Sequence, residues 1–395
     1  FPTRRSSDLQ LTAPQYDDFW DKMRAQYLVK SDYINLENGY YSMMAQSVLE
    51  AYLKDLRYIN LEASHYLRTV QFEEKDKTKN QLADLLGCAH DELIITRNTT
   101  ESLDTIISGI DWKAGDEAIM CSQDYGSMLD MFKQVSKRYG MVNKVLEMPL
   151  DPQSDEEIVD LYAKAITPKT RLIMVCHMIN ITGHILPVKK ICDMAHAKGV
   201  EVMVDGAHAL AHFEFSIKDL GCDYYGSSLH KWLGAPIGTG LLYVRKEKIK
   251  EVWPMFGAGD KEDENIRKFE HLGTRPFFIE QAIDKAIDFY DMIGGKRKEE
   301  RLLYLKNYWM ERVKDVPKVQ LHTSMKKDFG CAIGLVSVEG KTPAELDSYL
   351  WANYKIHTVG IVWENISGVR VTPNVYTSTK NLDRLVEGIT KFAKG

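Results

Sequence analysis

The sequence predicts an α/β fold, a mainly parallel sheet covered by helices on both faces, followed by a smaller C-terminal α+β domain. Three observations predict it. Between about residues 70 and 245, short apolar runs alternate with amphipathic stretches of helical period. Strands separated by helices of that length are joined by crossovers, which makes neighbouring strands parallel. From about residue 296 the alternation gives way to a different order of elements, and 395 residues exceed one typical core.

In order, TVQFEEKDKTKNQLADLLG reads as a helix, ELIITR as a strand, TESLDTIISGI as a helix, DEAIMCS as a strand and YGSMLDMFKQVSKRYG as a helix. EEIVDLYAKAI (helix), RLIMVCHM (strand), VKKICDMAHAKG (helix) and the strands EVMVDGA, DYYGSS and GTGLLYV follow. The C-terminal part holds the helix KRKEERLLYLKNYWMERVKDV, the strand CAIGLVSVE, the helix TPAELDSYLWANY, the strand pair IHTVGIV and GVRVTPNVY, and a last helix, TKNLDRLVEGITKFAK. MFGAGDKEDENIRKFEHLGTR, charged and without periodicity, reads as a long loop between the halves. The division expected is an N-terminal arm over 11–35, a large domain over 36–295 and a small domain over 296–395. Residues 1–10, FPTRRSSDLQ, carry the pair Arg4–Arg5 but no apolar stretch follows, and they are set aside as a truncated start or artefact.

Composition narrows the function. With 51 basic and 56 acidic residues the formal charge is −5, which offers no basic field for nucleic acid or an anionic membrane. No run approaches the roughly 18 apolar residues of a spanning helix. Six cysteines without a CxxC pair read as free thiols in a reducing, cytoplasmic setting. His208 and His212, four residues apart, have a spacing that could bind a metal from a helix face, but no HExxH or CxxC accompanies them and no metal site is expected.

The strongest local signal is SSLHKW, residues 227–232, after the apolar DYYG and before the Gly/Pro-rich GAPIGTG. A lysine that forms a Schiff base has to be uncharged near neutral pH, and burial lowers its pKa, so Lys231 is the candidate. Asp205 closes the apolar strand EVMVD, where a carboxylate suits the protonated pyridine nitrogen of pyridoxal 5′-phosphate (PLP); its bland alternative is a helix cap before Ala207. Asn98-Thr99-Thr100-Glu101 follows ELIITR and opens a helix, a place for phosphate, although alone it is an ordinary capping box. Tyr125, in the loop after DEAIMCS, can stack on a flat ring, though a lone loop tyrosine is usually a surface residue. GAPIGTG is followed by a strand rather than a helix, which excludes a dinucleotide loop.

The series NTTES, QDYGSM, HMINITGHILPV, VDGAHA, SSLHKWLGAPIGTGLLYV, HLGTR and GVRVTPNVYTSTKNLDRL resembles, in order and spacing, the class V aminotransferase family of fold-type I PLP enzymes. The resemblance runs from about residue 33 onward. It implies a mainly parallel sheet of the seven-stranded type, PLP as cofactor, an amino acid or related amine as substrate, and a homodimer. It makes Lys231 the aldimine lysine and Asp205 the pyridine partner. Thr99, Thr100, Ser228 and His230 fall around the phosphate, Tyr125 on the ring face, and Asn180 and His208 near the ring hydroxyl. Thr274 would serve the neighbouring subunit's phosphate site, and Arg370 would fork the substrate α-carboxylate, its alternative being a surface arginine on a strand. IHTVGIVWENISGVR lacks the nucleophilic cysteine of cysteine desulfurases, and Tyr125 stands where desulfurases have histidine. The expectation is therefore an isopenicillin-N-epimerase-like epimerase or aminotransferase, with Lys231 as proton shuttle. A β-eliminating C–S lyase is the chief alternative, ahead of a cysteine desulfurase, with Cys331 its only candidate nucleophile, and of a PLP-binding protein without catalysis.

Overall fold

A computed structural model describes residues 15–257, 260–326 and 328–395. The segment set aside over 1–10 lies outside the described residues. The chain enters through the helix Asp17–Arg24 and a two-residue strand, β1 (Ile34–Asn35). The central sheet follows as β2 (Leu93–Thr96), β3 (Glu117–Cys121), β4 (Val142–Leu146), β5 (Thr170–Cys176), β6 (Glu201–Asp205), β7 (Tyr224–Ser228) and β8 (Gly240–Val244). Their spatial order is β2-β8-β7-β6-β5-β3-β4. β8 runs antiparallel to β2 and β7, and every other pairing is parallel.

Why these runs become strands follows from their two faces. Alternate residues feed two separate cores: Ile173, Val175, Val202 and Val204 on one side, Leu172, Met174 and Met203 on the other. A strand buried on both faces has to be apolar throughout, which is why RLIMVC and EVMV show no alternation. β4 escaped the sequence reading for the converse reason. It is the sheet's edge, Val142 and Val145 are exposed, and its polar Asn143 and Lys144 break the apolar run. The helices Gln46–Glu62 and Ser64–Thr69 were also unread. The long loop is partly ordered by a short 3₁₀ turn, Ile266–Glu270, which buries Phe269.

Beyond Gly294, where the helices Ile283–Ile293 and Gly295–Val313 meet, a second sheet forms from β9 (Val319–Leu321), β10 (Gly334–Val338), β12 (Val359–Trp363) and β13 (Ile366–Val371). It is antiparallel, in the order β12-β13-β10-β9. Helix Pro343–Tyr354 starts with a reciprocal cap, Glu345 N–H donating to Thr342 Oγ1 and Thr342 N–H to the Glu345 carboxylate, with proline at its first position. β11 (Ile356–His357) pairs with β1 in parallel, and Ile34 and Leu36 sit in the same core as Trp309, Leu350 and Val369. Asn38 fastens this crossing: its backbone N–H donates to Thr372 Oγ1 and its side-chain amide to Thr372 O, both at 2.6 Å. Residues 37–42 are thereby strung between the two sheets. Among the described residues no helix is long and apolar enough to cross a membrane.

At the start of β8, a Cβ on Gly240 would lie 2.6 Å from the backbone of Asn98, too close for either chain to stay in place. Gly240→Ala is therefore expected to lower the unfolding free energy by about 1–3 kcal/mol, the usual range for overpacking, as read by urea denaturation.

Candidate active site

The carboxyl ends of the parallel strands open into a cleft of about 540 Å³. Ligands collect at this edge of open α/β sheets because side chains leave the apolar interior there. Of the eleven residues singled out in the sequence, ten line the cleft: Thr99, Thr100, Tyr125, Asn180, Asp205, His208, Ser228, His230, Lys231 and Arg370. Thr274 does not. It borders a different cavity of about 410 Å³ with Phe72, Arg267 and Arg275.

The floor is built by β6 and the turn after β7. Asp205 is the last residue of β6, paired in register with Cys176 of β5 and Gly226 of β7. It is buried, and its carboxyl accepts from Ala207 N–H at Oδ1, 3.0 Å. No helix starts at Ala207, so the capping alternative falls. Burial raises the Asp205 pKa, against the opposing pull of that N–H and of Lys231. Lys231 is half-buried and its Nζ lies 2.9 Å from His208 Nε2. Burial lowers its pKa to about 8, with Arg370 acting in the same direction and Asp205 against it.

At one end, Thr99 opens the eleven-residue helix Thr99–Gly109, whose cap is Asn98 accepting from Glu101 N–H (2.8 Å). Thr99 N–H donates to Ser228 Oγ (3.0 Å) and the two hydroxyls are 2.7 Å apart, so the ends of β2 and β7 converge on one hydroxyl cluster at a positive helix end. His230 Nδ1 lies 3.0 Å from Thr239 O; an acceptor there puts the ring proton on Nδ1, and burial lowers its pKa to about 4. Tyr125, 44% exposed, precedes the helix Gly126–Tyr139 at the cleft's mouth.

At the other end Arg370, on β13, is buried rather than at the surface. Its Nη1 donates to Asn180 O (2.8 Å) and its Nη2 meets Glu37 Oε1 (2.6 Å). Arg370 Nε and Asn180 Oδ1 are buried without a partner. Glu37, Gly39, Tyr40 and Tyr41, in the segment ENGYYS, and Cys176 were missed. Cys176 lay hidden in an apolar run, and Glu37 gave no signal, because its partner is 333 residues away. His208 and His212 share no metal-binding geometry: His212 faces inward, stacked on Trp232 at 3.7 Å between ring centres.

The chain belongs to the aminotransferase class-V family, whose sequence profile matches residues 35–360. Isopenicillin N epimerase of Streptomyces clavuligerus is 26% identical over 389 residues, covering 94% of this chain and 97% of that protein. A probable cysteine desulfurase of Halalkalibacterium halodurans is 27% identical over 324 residues, covering 76% and 77%. The solved structure of the cystine C–S lyase C-DES with its reaction product, cysteine persulfide, superposes with a TM-score of 0.82 at 19% identity, over 92% of this chain and 98% of that one. The last likeness speaks to the fold.

The family's members are PLP enzymes, and this cleft fits the cofactor. Asp205 is a buried carboxyl without an ion pair among the described residues, placed for a pyridinium nitrogen. The Thr99–Ser228 cluster suits a phosphate, and the uncharged form of Lys231 is accessible near neutral pH. Hydrogen bonds to a charged group contribute about 1.5–3 kcal/mol each, so Thr99→Val and Ser228→Ala should each weaken PLP binding roughly ten- to a hundred-fold. Equilibrium dialysis against PLP measures this.

Proposed function

We propose that the protein acts at the α-carbon of an amino acid or related amine, as an isopenicillin-N-epimerase-like epimerase or aminotransferase. The observation that carries this reading is the placement of one depressed-pKa lysine, Lys231, between Asp205 and a buried arginine, Arg370, in a single cleft. PLP, when bound, supplies the electron sink that stabilises negative charge at the substrate α-carbon. Asp205 would keep the ring nitrogen protonated. Thr99, Thr100, Ser228 and His230 would hold the phosphate, Tyr125 would lie on a ring face, and Asn180 and His208 would stand near the ring hydroxyl. With Asn180 and Glu37 fixing its plane, Arg370 offers the remaining N–H donors of a rigid fork to the substrate carboxylate. Lys231, with a pKa near 8, accepts a proton at Nζ and returns it.

Persulfide chemistry is disfavoured by where the thiols lie. Cys176 reaches the cleft, but burial and the Asp124 carboxyl push its pKa well up. The Cys331 thiol is buried against the carbonyls of His212 and Glu299, and burial pushes it up too. Neither is a ready thiolate nucleophile. The working unit in this reading is a homodimer, in which Thr274, which does not line its own cleft, serves the second copy's phosphate end. A cytoplasmic setting suits the six unpaired cysteines.

The test is α-proton exchange. With PLP and a panel of L- and D-amino acids in D₂O, deuterium should enter at Cα, with inversion or with transfer of the amino group, and Lys231→Ala should slow exchange by about 10³-fold, within the range of acid–base catalysis. Release of sulfide or a keto acid from cystine or cysteine, without deuterated amino acid, would make the protein a C–S lyase instead. PLP binding with no exchange on any amine would leave a binding protein. Separately, Thr274→Ala should lower PLP affinity while sedimentation still reports a dimer; a monomer in the wild type would sink the shared-site reading.

A further inference from the structure

Behind Lys231 lies a set of hydrogen bonds whose directions are fixed by their donors. Trp232 Nε1–H, which can only donate, points at His208 Nδ1 at 3.3 Å. Ala332 N–H, likewise only a donor, points at His212 Nε2 at 2.8 Å. His212 must therefore carry its proton on Nδ1, which donates to His208 O at 2.8 Å. Trp232, His208 and His212 are all buried, and the His212 ring stacks on Trp232. The His208 ring is thus held from behind by the indole and from its own backbone by His212, with Nε2 left facing Lys231 Nζ.

We infer that Trp232 is a positioning residue that locks His208 in the Nε2–H tautomer, so that His208 donates a hydrogen bond to Lys231 and favours the uncharged lysine. The reasoning is one of direction. A charged Lys231 has three N–H donors and no acceptor, so it can pair with Nε2 only if that nitrogen is bare and the ring proton sits on Nδ1. That arrangement would set Nδ1–H against the Trp232 N–H. The neutral amine, by contrast, accepts from Nε2–H without conflict. The consequence for catalysis rests on the reading of Lys231 given above, whereas the tautomer itself does not. Other groups also face Lys231: Asp205 on β6, Arg370 on β13, Glu37 after β1, Cys176 at the end of β5, and His230 beside it. The experiment therefore has to isolate the path through His208.

Full-length protein freed of PLP is treated with formaldehyde and cyanoborohydride across a pH series, and methylation of Lys231 is followed by peptide mass spectrometry. Trp232→Phe should raise the pH midpoint by about one unit, tenfold in the protonation equilibrium, the size of one hydrogen bond to the neutral form. In a His208→Leu background, where the ring can neither accept nor donate, Trp232→Phe should shift it no further. An unchanged midpoint, or an equal shift in both backgrounds, overturns the inference. Should Trp232→Phe fail to fold, ¹⁵N-histidine NMR of the wild type decides: His208 with a bare Nδ1 and protonated Nε2 supports the lock, and an Nδ1–H ring ends it. None of these readouts needs a substrate, so failure to find an amino-acid activity leaves them intact.

Discussion

A buried carboxyl group and a half-buried amine lining one cleft set the terms for the rest of the molecule. Asp205 is forced inward because β6 lies in the middle of the sheet and its preceding residues are apolar on both faces. Burying such a group is unfavourable unless something answers its charge. Lys231, from the turn after β7, offsets part of this without forming an ion pair: each moves the other's pKa toward the ionised form while burial moves it away. Parallel strands ending at one level make this possible, since β5, β6 and β7 deliver Cys176, Asp205 and Ser228 to one edge.

The second sheet supplies what that edge lacks. Arg370 comes from β13 and reaches the cleft beside Asn180, while Glu37 arrives from the opposite end of the chain. The pairing of β1 with β11 and the bonds from Asn38 to Thr372 hold these distant pieces in register. Trp363 adds a further tie, its indole N–H donating to Ser122 O at 2.6 Å. The cleft is thus a product of both sheets.

What could be read in the sequence followed from what local rules govern. The buried strands were legible because burial on both faces leaves no polar residue to confuse the run, and Lys231, Asp205 and Thr99 were legible because each lies at or just beyond the end of such a run. β4 was not, since an edge strand owes its existence to hydrogen bonds with β3 rather than to its own apolarity. Glu37 and Trp232 were not, because their roles are defined by partners: an arginine 333 residues away for one, a histidine 24 residues back for the other. The spacing of His208 and His212, from which no metal site was expected, reflects a backbone carbonyl accepting from an imidazole four residues on.

The ion pair between Glu37 and Arg370 changes the kind of selectivity this end of the cleft can exert. A guanidinium already matched by a carboxylate at 2.6 Å projects little net field into its surroundings. An incoming anion is then drawn by the shape of the remaining donors more than by charge. A planar carboxylate satisfies such a fork with two parallel N–H···O bonds. Long-range capture contributes little, so binding at this end varies little with ionic strength.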